Sequence, residues 1–511
     1  MIDVLWPTLV APLLVGYLLA LLPDYLLKPQ PGRLRRRPAA AHLVHLGLWL
    51  LLFAGELLLF QRPWFVAVNV AALLLVFVLI SNAKYRVLRE PFIFQDTEYV
   101  ADAFRHPRLY FPFFGVRRTL LAAVAIIALY ATGLGLEPAM QASYGWPALG
   151  GVVLALAILG AAALWLGNRW LAAPDLEPEK DMQALGLLAS LWAYAREERR
   201  PAALVSPFTS PIHLNDANQS LPDLVVVQSE SFFDPRALFA GIKPDVLARF
   251  DALKGKAVAH GPLQVPAWGA NTVRSEFAFL SGLGPQQLGV HRFNPYRQVA
   301  RSGLPTLASA LRAMGYHTIC VHPYPAGFYD RERVYPLLGF ETFLDIQAFD
   351  PRQRFGPFIS DLAVAEKVCE LLDSDDARPR FIFVITMENH GPLHLESVSA
   401  ADVADLYHSP PPKGCEELTV YLRHLRHADA MLEQIQTALS AQERHGWLGW
   451  YGDHVPAIPR VYNTLGEPTG RTEYLLWSTI HNLKTGVAAS TLTPDELGYL
   501  LYSALLSDCR L

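Results

Sequence analysis

The chain has 511 residues, 52% of them hydrophobic and only 18% charged, which is too apolar for a soluble protein of this size and calls for a membrane portion beside one or more folded domains. A net charge of −4 gives no electrostatic footprint for nucleic acid, which is excluded as a partner. The four cysteines, Cys320, Cys369, Cys415 and Cys509, form no CxxC pair, so neither a cysteine zinc site nor a disulfide framework is supported.

In chain order, five apolar stretches come first, at roughly 4–22, 43–60, 64–81, 119–136 and 147–167, each near the length of a membrane-crossing helix. The first lacks a basic leading segment and a small-residue cleavage site and contains Pro7 and Pro12, so it reads as a span rather than a signal peptide. Gln61, Arg62 and Pro63 suit a tight helical hairpin, and Glu56 reads as an acid facing the bundle or the interface, with a functional intramembrane acid as the alternative. The segment 82–118 mixes basic residues with Phe92, Phe94, Phe104 and Tyr110, which suits interfacial helices or a loop packed on the bundle. The basic loops at 25–40 and 82–118 would place both, and with five spans the C-terminal half, in the cytoplasm by the positive-inside rule. Residues 168–220 read as a linker, with Leu185, Leu188, Leu191, Trp192 and Ala195 marking one amphipathic helix.

From 221 onward the pattern changes. Buried strands are predicted at Leu224–Val227, His317–Val321, Phe381–Ile385, Trp447–Tyr451 and Tyr474–Ser478. Helices are predicted at Leu304–Met314, stopped by Gly315, and at Glu416–Leu439. This alternation predicts an α/β domain with a mostly parallel central sheet, in which ligands gather at the carboxyl ends of the strands. The expected division is therefore 1–167 membrane domain, 168–220 linker and 221–511 catalytic domain.

Polar side chains follow several of these strands directly: Glu230 after the first, His322 after the second, His390 after the third, Asp453 and His454 after the fourth. Each alone is better read as a cap, a turn residue or a hydrogen-bonded core histidine. Their shared position makes a site the better account of the set, and two carboxylates with one imidazole suit Mn²⁺, Zn²⁺ or Mg²⁺ with an open coordination position. Trp268-Gly269-Ala270-Asn271-Thr272 precedes an apolar helical run, which puts Thr272 at a helix N-terminus, where the dipole favours an anionic adduct; an N-cap is the plain structural reading.

Taken in order, these stretches resemble the lipoteichoic acid synthase and phosphoglycerol transferase branch of the alkaline phosphatase/sulfatase superfamily, over about residues 221–505. The resemblance rests on Gln228–Phe232, on Gly269, Thr272 and Glu276-Phe277, and on His322, Phe328, Tyr329 and Arg331 with Gly339-Phe340 and Phe343-Leu344-Asp345. Asn389-His390 and Tyr451-Gly452-Asp453-His454 complete it. It implies one divalent metal, commonly Mn²⁺, held by Glu230, Asp453, His454 and Thr272. It further implies Thr272 as the nucleophile that carries a phosphoryl-type adduct, and phosphate or headgroup contacts from Arg331, His322 and Tyr329. His390 would also contact substrate and protonate the leaving group. The implied activity moves a phosphoglycerol-type headgroup from a membrane phospholipid to a glycan or glycolipid of the cell envelope. The implied location is the bacterial cytoplasmic membrane with the catalytic domain on its outer side, against the charge count. Tyr329 stands where the synthases have Trp, and Gly-Ala-Asn replaces their Gly-Lys lead-in, so a phosphoethanolamine transferase or a phosphodiesterase remains an alternative, as does a non-catalytic membrane assembly module. Thr rather than Cys at 272 disfavours the formylglycine sulfatases, and the absence of a second acid beside Glu230 disfavours the two-metal hydrolases.

Overall fold

A computed structural model of the protein describes residues 6–107, 116–200, 204–209, 221–480 and 490–508. The chain divides into two compact units, Met1–Pro201 and Ala202–Leu511.

The first unit is built from α1 (Ala11–Leu21), α2 (Ala39–Phe60), α3 (Pro63–Leu88), α4 (Val116–Leu136) and α5 (Met140–Trp170). Four helical stretches, Thr8–Leu26, α2, α3 and α5, are long and apolar enough to cross a membrane, whereas the apolar run of α4, Leu120–Leu136, is shorter. Gln61, at φ 61°, ends α2, and Pro63 opens α3 at a position that needs no N–H. The Glu137 carboxylate accepts from the N–H groups of Trp64 and Phe65 at 3.0 and 2.8 Å, so the α2–α3 turn and the α4–α5 turn are tied at one end of the bundle. Helices α2 and α5 approach through glycines: a methyl group on Gly47 would lie 2.6 Å from the Leu164 nitrogen. Glu56 accepts from Asn69 Nδ2 at 2.8 Å and so faces α3 inside the bundle.

The α1–α2 connection lies at the other end. There Lys28 N donates to Asn82 Oδ1 at 2.7 Å, and Gly32 N donates to Gln183 O at 2.8 Å. Of the aromatic segment after α3, residues 90–93 run as a packed loop into a 3₁₀ helix, Phe94–Glu98, with Phe92 and Ile93 buried and Phe92 N bonded to Ser81 Oγ at 3.0 Å. A short helix, Tyr99–Arg105, follows and leaves Phe104 exposed; 108–115 lie outside the described residues. The single linker helix expected near 185–195 is two, α6 (Pro178–Leu185) and α7 (Leu187–Glu198). They break at Gly186, whose φ of 77° suits glycine and where a methyl group would meet Arg37 Nη1 at 2.3 Å.

The second unit holds a seven-stranded sheet. Its strands are β1 (Asp223–Ser229), β2 (Ala259–Leu263), β3 (His317–Val321), β4 (Thr342–Leu344), β5 (Arg380–Ile385), β6 (Gly446–Gly452) and β7 (Thr472–Ser478), in the order β2-β7-β6-β1-β5-β3-β4. From β6 to β4 neighbours are parallel, while β7 runs antiparallel to both β6 and β2. Alternation along the strands feeds two cores. Val225 and Val227 join Val364 and Val368 of the helix Asp361–Leu372 and Leu418, Leu425 and Leu432 of the long helix Glu416–Ala441 on one face. Leu224 and Val226 join α8 (Thr272–Ser281), α9 (Leu307–Ala313) and the C-terminal helix Pro494–Asp508 on the other. Strands β2 and β4 escape sequence reading: one is Ala-His-Gly-Pro-Leu and the other only three residues long.

The register aligns the carboxyl ends that matter. Gln228 of β1 pairs with Ile385 of β5 and with Tyr451 of β6, so Glu230, Thr386 and Asp453 leave the sheet side by side. Trp450, fully buried with its ring 5.6 Å from that of Phe232, sets the spacing beneath them. Trp450→Ala should cost about 3–5 kcal/mol of stability, read as a lower unfolding midpoint of the full-length protein in detergent.

Candidate active site

Where β1 and β6 end, three metal-ligating groups meet. Glu230, Asp453 and His454 each offer a ligand atom, and these atoms all lie within 4.8 Å of one another in a buried cluster. Ser231, held at φ 56° just past β1, organises it. Its N–H donates to Asp453 Oδ1 at 2.9 Å, and its hydroxyl donates to Glu230 Oε1 at 2.9 Å. Its carbonyl accepts from the Tyr421 hydroxyl at 2.8 Å. Gly452 is required on packing grounds, since a methyl group there would lie 1.9 Å from the Phe232 carbonyl oxygen.

The imidazole fixes the character of the cluster. His454 Nδ1 lies 3.1 Å from the Val455 carbonyl, an acceptor only, so Nδ1 carries the proton and Nε2 presents a lone pair. That lone pair sits 3.2 Å from Asp453 Oδ2 and 3.6 Å from Glu230 Oε1. Neither His454 Nε2 nor Asp453 Oδ2 has a hydrogen-bond partner, although both are buried. Acceptors facing one another with no donor between them are what a divalent cation requires, and the donor set N, O, O suits Zn²⁺ or Mn²⁺. With no cation, burial and then the Asp453 charge push the Glu230 carboxyl up to about 8.

Thr272 is the first residue of α8 and is buried. The preceding Asn271 sits at φ 68° and makes no side-chain cap bond, so the N-terminal N–H groups of α8 are not covered by it. One turn on, Ser275 Oγ donates to the Asp453 carbonyl at 2.7 Å, which ties the start of α8 to the end of β6. Every residue of α8 is buried.

Around this centre lie two polar networks. In the first, Arg331, 1% exposed, donates from Nη2 to Glu276 Oε2 at 2.8 Å and from Nη1 to His322 Nε2 at 3.2 Å. His322 Nδ1 donates to the Ile385 carbonyl at 3.1 Å, and burial followed by the Arg331 charge drives its pKa well down, so it is neutral. The hydroxyls of Tyr296 and Tyr335 donate to Glu276, and the Tyr329 ring lies 5.2 Å from the Arg331 guanidinium carbon. Arg331 and His322 thus bond chiefly to each other and to Glu276, and Arg331 also acts on Glu230 through space.

The second network had no sequence signal beyond Glu388 preceding Asn389-His390. Glu388 Oε1 accepts from His424 Nδ1 and His427 Nδ1, each at 2.8 Å, and Oε2 accepts from Asp361 N at 2.6 Å. His424 Nε2 meets Glu396 Oε1 at 3.0 Å. Both His424 nitrogens therefore face carboxylates and both carry protons; burial opposes the charge, but these bonds push His424 up to about 9. The loop so anchored presents Asn389, whose amide nitrogen and oxygen are buried and without partner, and His390, whose Nδ1 donates to the Gly391 carbonyl at 2.7 Å. Burial pushes His390 down, and the Asp453 charge acts against this.

Comparison with known proteins agrees with this architecture. A capsular polysaccharide biosynthesis protein, RkpI, of Rhizobium meliloti is 28% identical over 471 residues, 88% of this chain and 84% of that protein. The integral membrane lipooligosaccharide phosphoethanolamine transferase A (EptA) from Neisseria meningitidis shares the fold across 92% of this chain and 96% of its own, with a TM-score of 0.55 at 12% identity. The Streptococcus pyogenes phosphoglycerol transferase GacH aligns over 56% of this chain and 75% of its own, with a TM-score of 0.45 at 22% identity. The sulfatase family model matches residues 222–504, and the chain accordingly belongs to the sulfatase family, within the alkaline phosphatase superfamily.

Proposed function

We propose that this protein is a membrane-anchored phosphotransferase that moves a phosphoglycerol-type headgroup from a phospholipid to a cell-envelope glycan or glycolipid. The observation that carries the reading is the buried cluster of Glu230, Asp453 and His454, in which Asp453 Oδ2 and His454 Nε2 face each other without a hydrogen-bond donor, tied through Ser275 to the helix that begins at Thr272. The ordered motifs of the sequence favour phosphoglycerol, and the likeness to a capsular polysaccharide biosynthesis protein favours a glycan acceptor. On this reading residues 1–167 anchor the enzyme in the bacterial cytoplasmic membrane, 168–220 link, and 221–511 act on the periplasmic or extracellular side. The same site would serve phosphoethanolamine transfer, the second reading, favoured by the full-length likeness in fold to EptA.

Glu230, Asp453 and His454, with the Thr272 hydroxyl, would hold one divalent cation, with Mn²⁺ the first choice. When bound, such a cation supplies Lewis-acid lowering of the hydroxyl pKa and neutralises charge at phosphorus. Thr272 Oγ1 forms a bond to phosphorus as the bond from phosphorus to the diacylglycerol oxygen breaks, and the Thr272 proton ends on that oxygen. An acceptor hydroxyl then forms its own bond to phosphorus, the bond to Thr272 Oγ1 breaks, and the acceptor's proton returns to Thr272. His390, neutral with its Nε2 lone pair available, is suited to carry each proton. The N–H groups opening α8 favour the anionic adduct. Arg331, braced by Glu276, with His322 and Tyr329 beside it, supplies fixed positive potential on the phosphate side.

Thr272→Ala should reduce turnover by at least about 10³-fold with the unfolding midpoint nearly unchanged; substantial residual transfer would move the nucleophile elsewhere. Incubation with phosphatidylglycerol, and separately with phosphatidylethanolamine, should release diacylglycerol only from the former by mass spectrometry; release only from the latter would establish the second reading. Cation binding should also depend on pH. In the metal-free protein, Glu230 holds a proton up to about pH 8 that the unfolded chain loses near its ordinary value of 4.5. Folded stability therefore falls as pH rises through that window. Added Mn²⁺ or Zn²⁺ displaces this proton, so the rise in unfolding midpoint on adding metal should be larger at pH 8 than at pH 6. Equal shifts at both values, or none, would contradict the site.

A further inference from the structure

We propose a second ligand site, in the first unit: a cleft that takes the phosphate of an anionic phospholipid headgroup, apart from the Thr272 centre and independent of its chemistry. The cleft, about 380 Å³, opens between the α1–α2 connection and α6, and is lined by Gln30, Arg36, Arg37, Lys180 and Gln183. It lies at the loop-rich end of the bundle, closed on one side by the bond from Gly32 N to Gln183 O.

Charge is the first argument. Between α1 and α2 the chain carries Lys28, Arg33, Arg35, Arg36 and Arg37 against a single acid, Asp24. Asp24 is taken by Arg37, whose side chain is 6% exposed. Among the described residues, Arg36 and Lys180 have no acidic partner, and both are exposed. Two cations face one cavity from separate elements, and no acid is among the residues that line it, so the cleft itself is positive.

Construction is the second. Arg37 is fixed by Asp24 and by the close approach of Gly186, yet its Nε is buried without a hydrogen-bond partner. The cleft wall thus contains a nine-tenths buried guanidinium, held in place by Asp24 and with one donor unsatisfied, which distinguishes it from a row of solvated surface charges.

The surroundings select a lipid over free phosphate. Leu22, Tyr25 and Leu26, directly before the basic loop, are 56%, 56% and 57% exposed at the end of a membrane-length apolar stretch. Acyl chains lying on these residues would bring their headgroup to Arg36 and Lys180, whose charges suit hydrogen bonds to its phosphate oxygens.

The test is native mass spectrometry of the delipidated full-length protein carrying Thr272→Ala, titrated with phosphatidylglycerol, phosphatidylcholine or inorganic phosphate. The mass of the bound species distinguishes intact from cleaved lipid, so binding is read whether or not the catalytic assignment holds. Phosphatidylglycerol should bind well above phosphatidylcholine. The double change Arg36→Gln/Lys180→Gln should weaken it roughly 30-fold, and Arg36→Lys/Lys180→Arg should restore it at an unchanged unfolding midpoint. Binding of phosphatidylglycerol unaffected by the Gln pair, or inorganic phosphate competing at equal affinity, would overturn the proposal.

Discussion

Two carboxylates and the lone pair of an imidazole, buried with ligand atoms within 4.8 Å of one another, are the constraint around which the second unit is arranged. Taking like charges out of water costs far more than any local packing returns, unless a counter-charge enters or a proton is retained. The protein holds the unfavourable arrangement with neutral restraints: the Ser231 N–H and hydroxyl, the Val455 carbonyl, and a glycine at 452 that lets β6 approach Phe232. All three ligands leave from the ends of adjacent parallel strands whose register is fixed by buried apolar side chains, so the stability of the sheet holds the geometry of the site.

Around that centre the charges are laid out in pairs. Arg331 is stabilised in the interior by Glu276, which is itself held by two tyrosine hydroxyls, and Glu388 is held by two histidines and a backbone N–H. The effect is that each of these buried charges faces an opposite charge or hydrogen-bond donors. Buried polar networks of this kind contribute more to a unique geometry than to stability.

Much of the layout is legible in the amino-acid order because the parallel strands are continuous β-branched and aromatic runs, and the residues that follow them are the polar ones. His317–Val321 matches the structure to the residue, and Gly315 ends its helix at a φ of 96°. What escapes has physical causes. Strand β2 contains Gly and Pro and exists because β7 offers it an edge; the linker helix breaks at Gly186 because Arg37 and Asp24 press on it from another part of the chain. The cluster of Glu230, Asp453 and His454, which could hold a metal ion, is visible in the sequence as residues that follow strands. The tie from Ser275 to Asp453, the orphaned amide of Asn389 and the histidine clamp on Glu388 are not, since each joins residues far apart in sequence or depends on the absence of a partner.

Helix α8 is buried on every face along its whole length. A helix so enclosed has no room to pivot, and Thr272 at its tip cannot swing from a donor to an acceptor. On the proposed chemistry the traffic is therefore carried by the substrates: the lipid must depart before the glycan arrives, both occupying the same place in turn. Throughput would then follow how quickly diacylglycerol vacates the membrane surface rather than any motion of the protein.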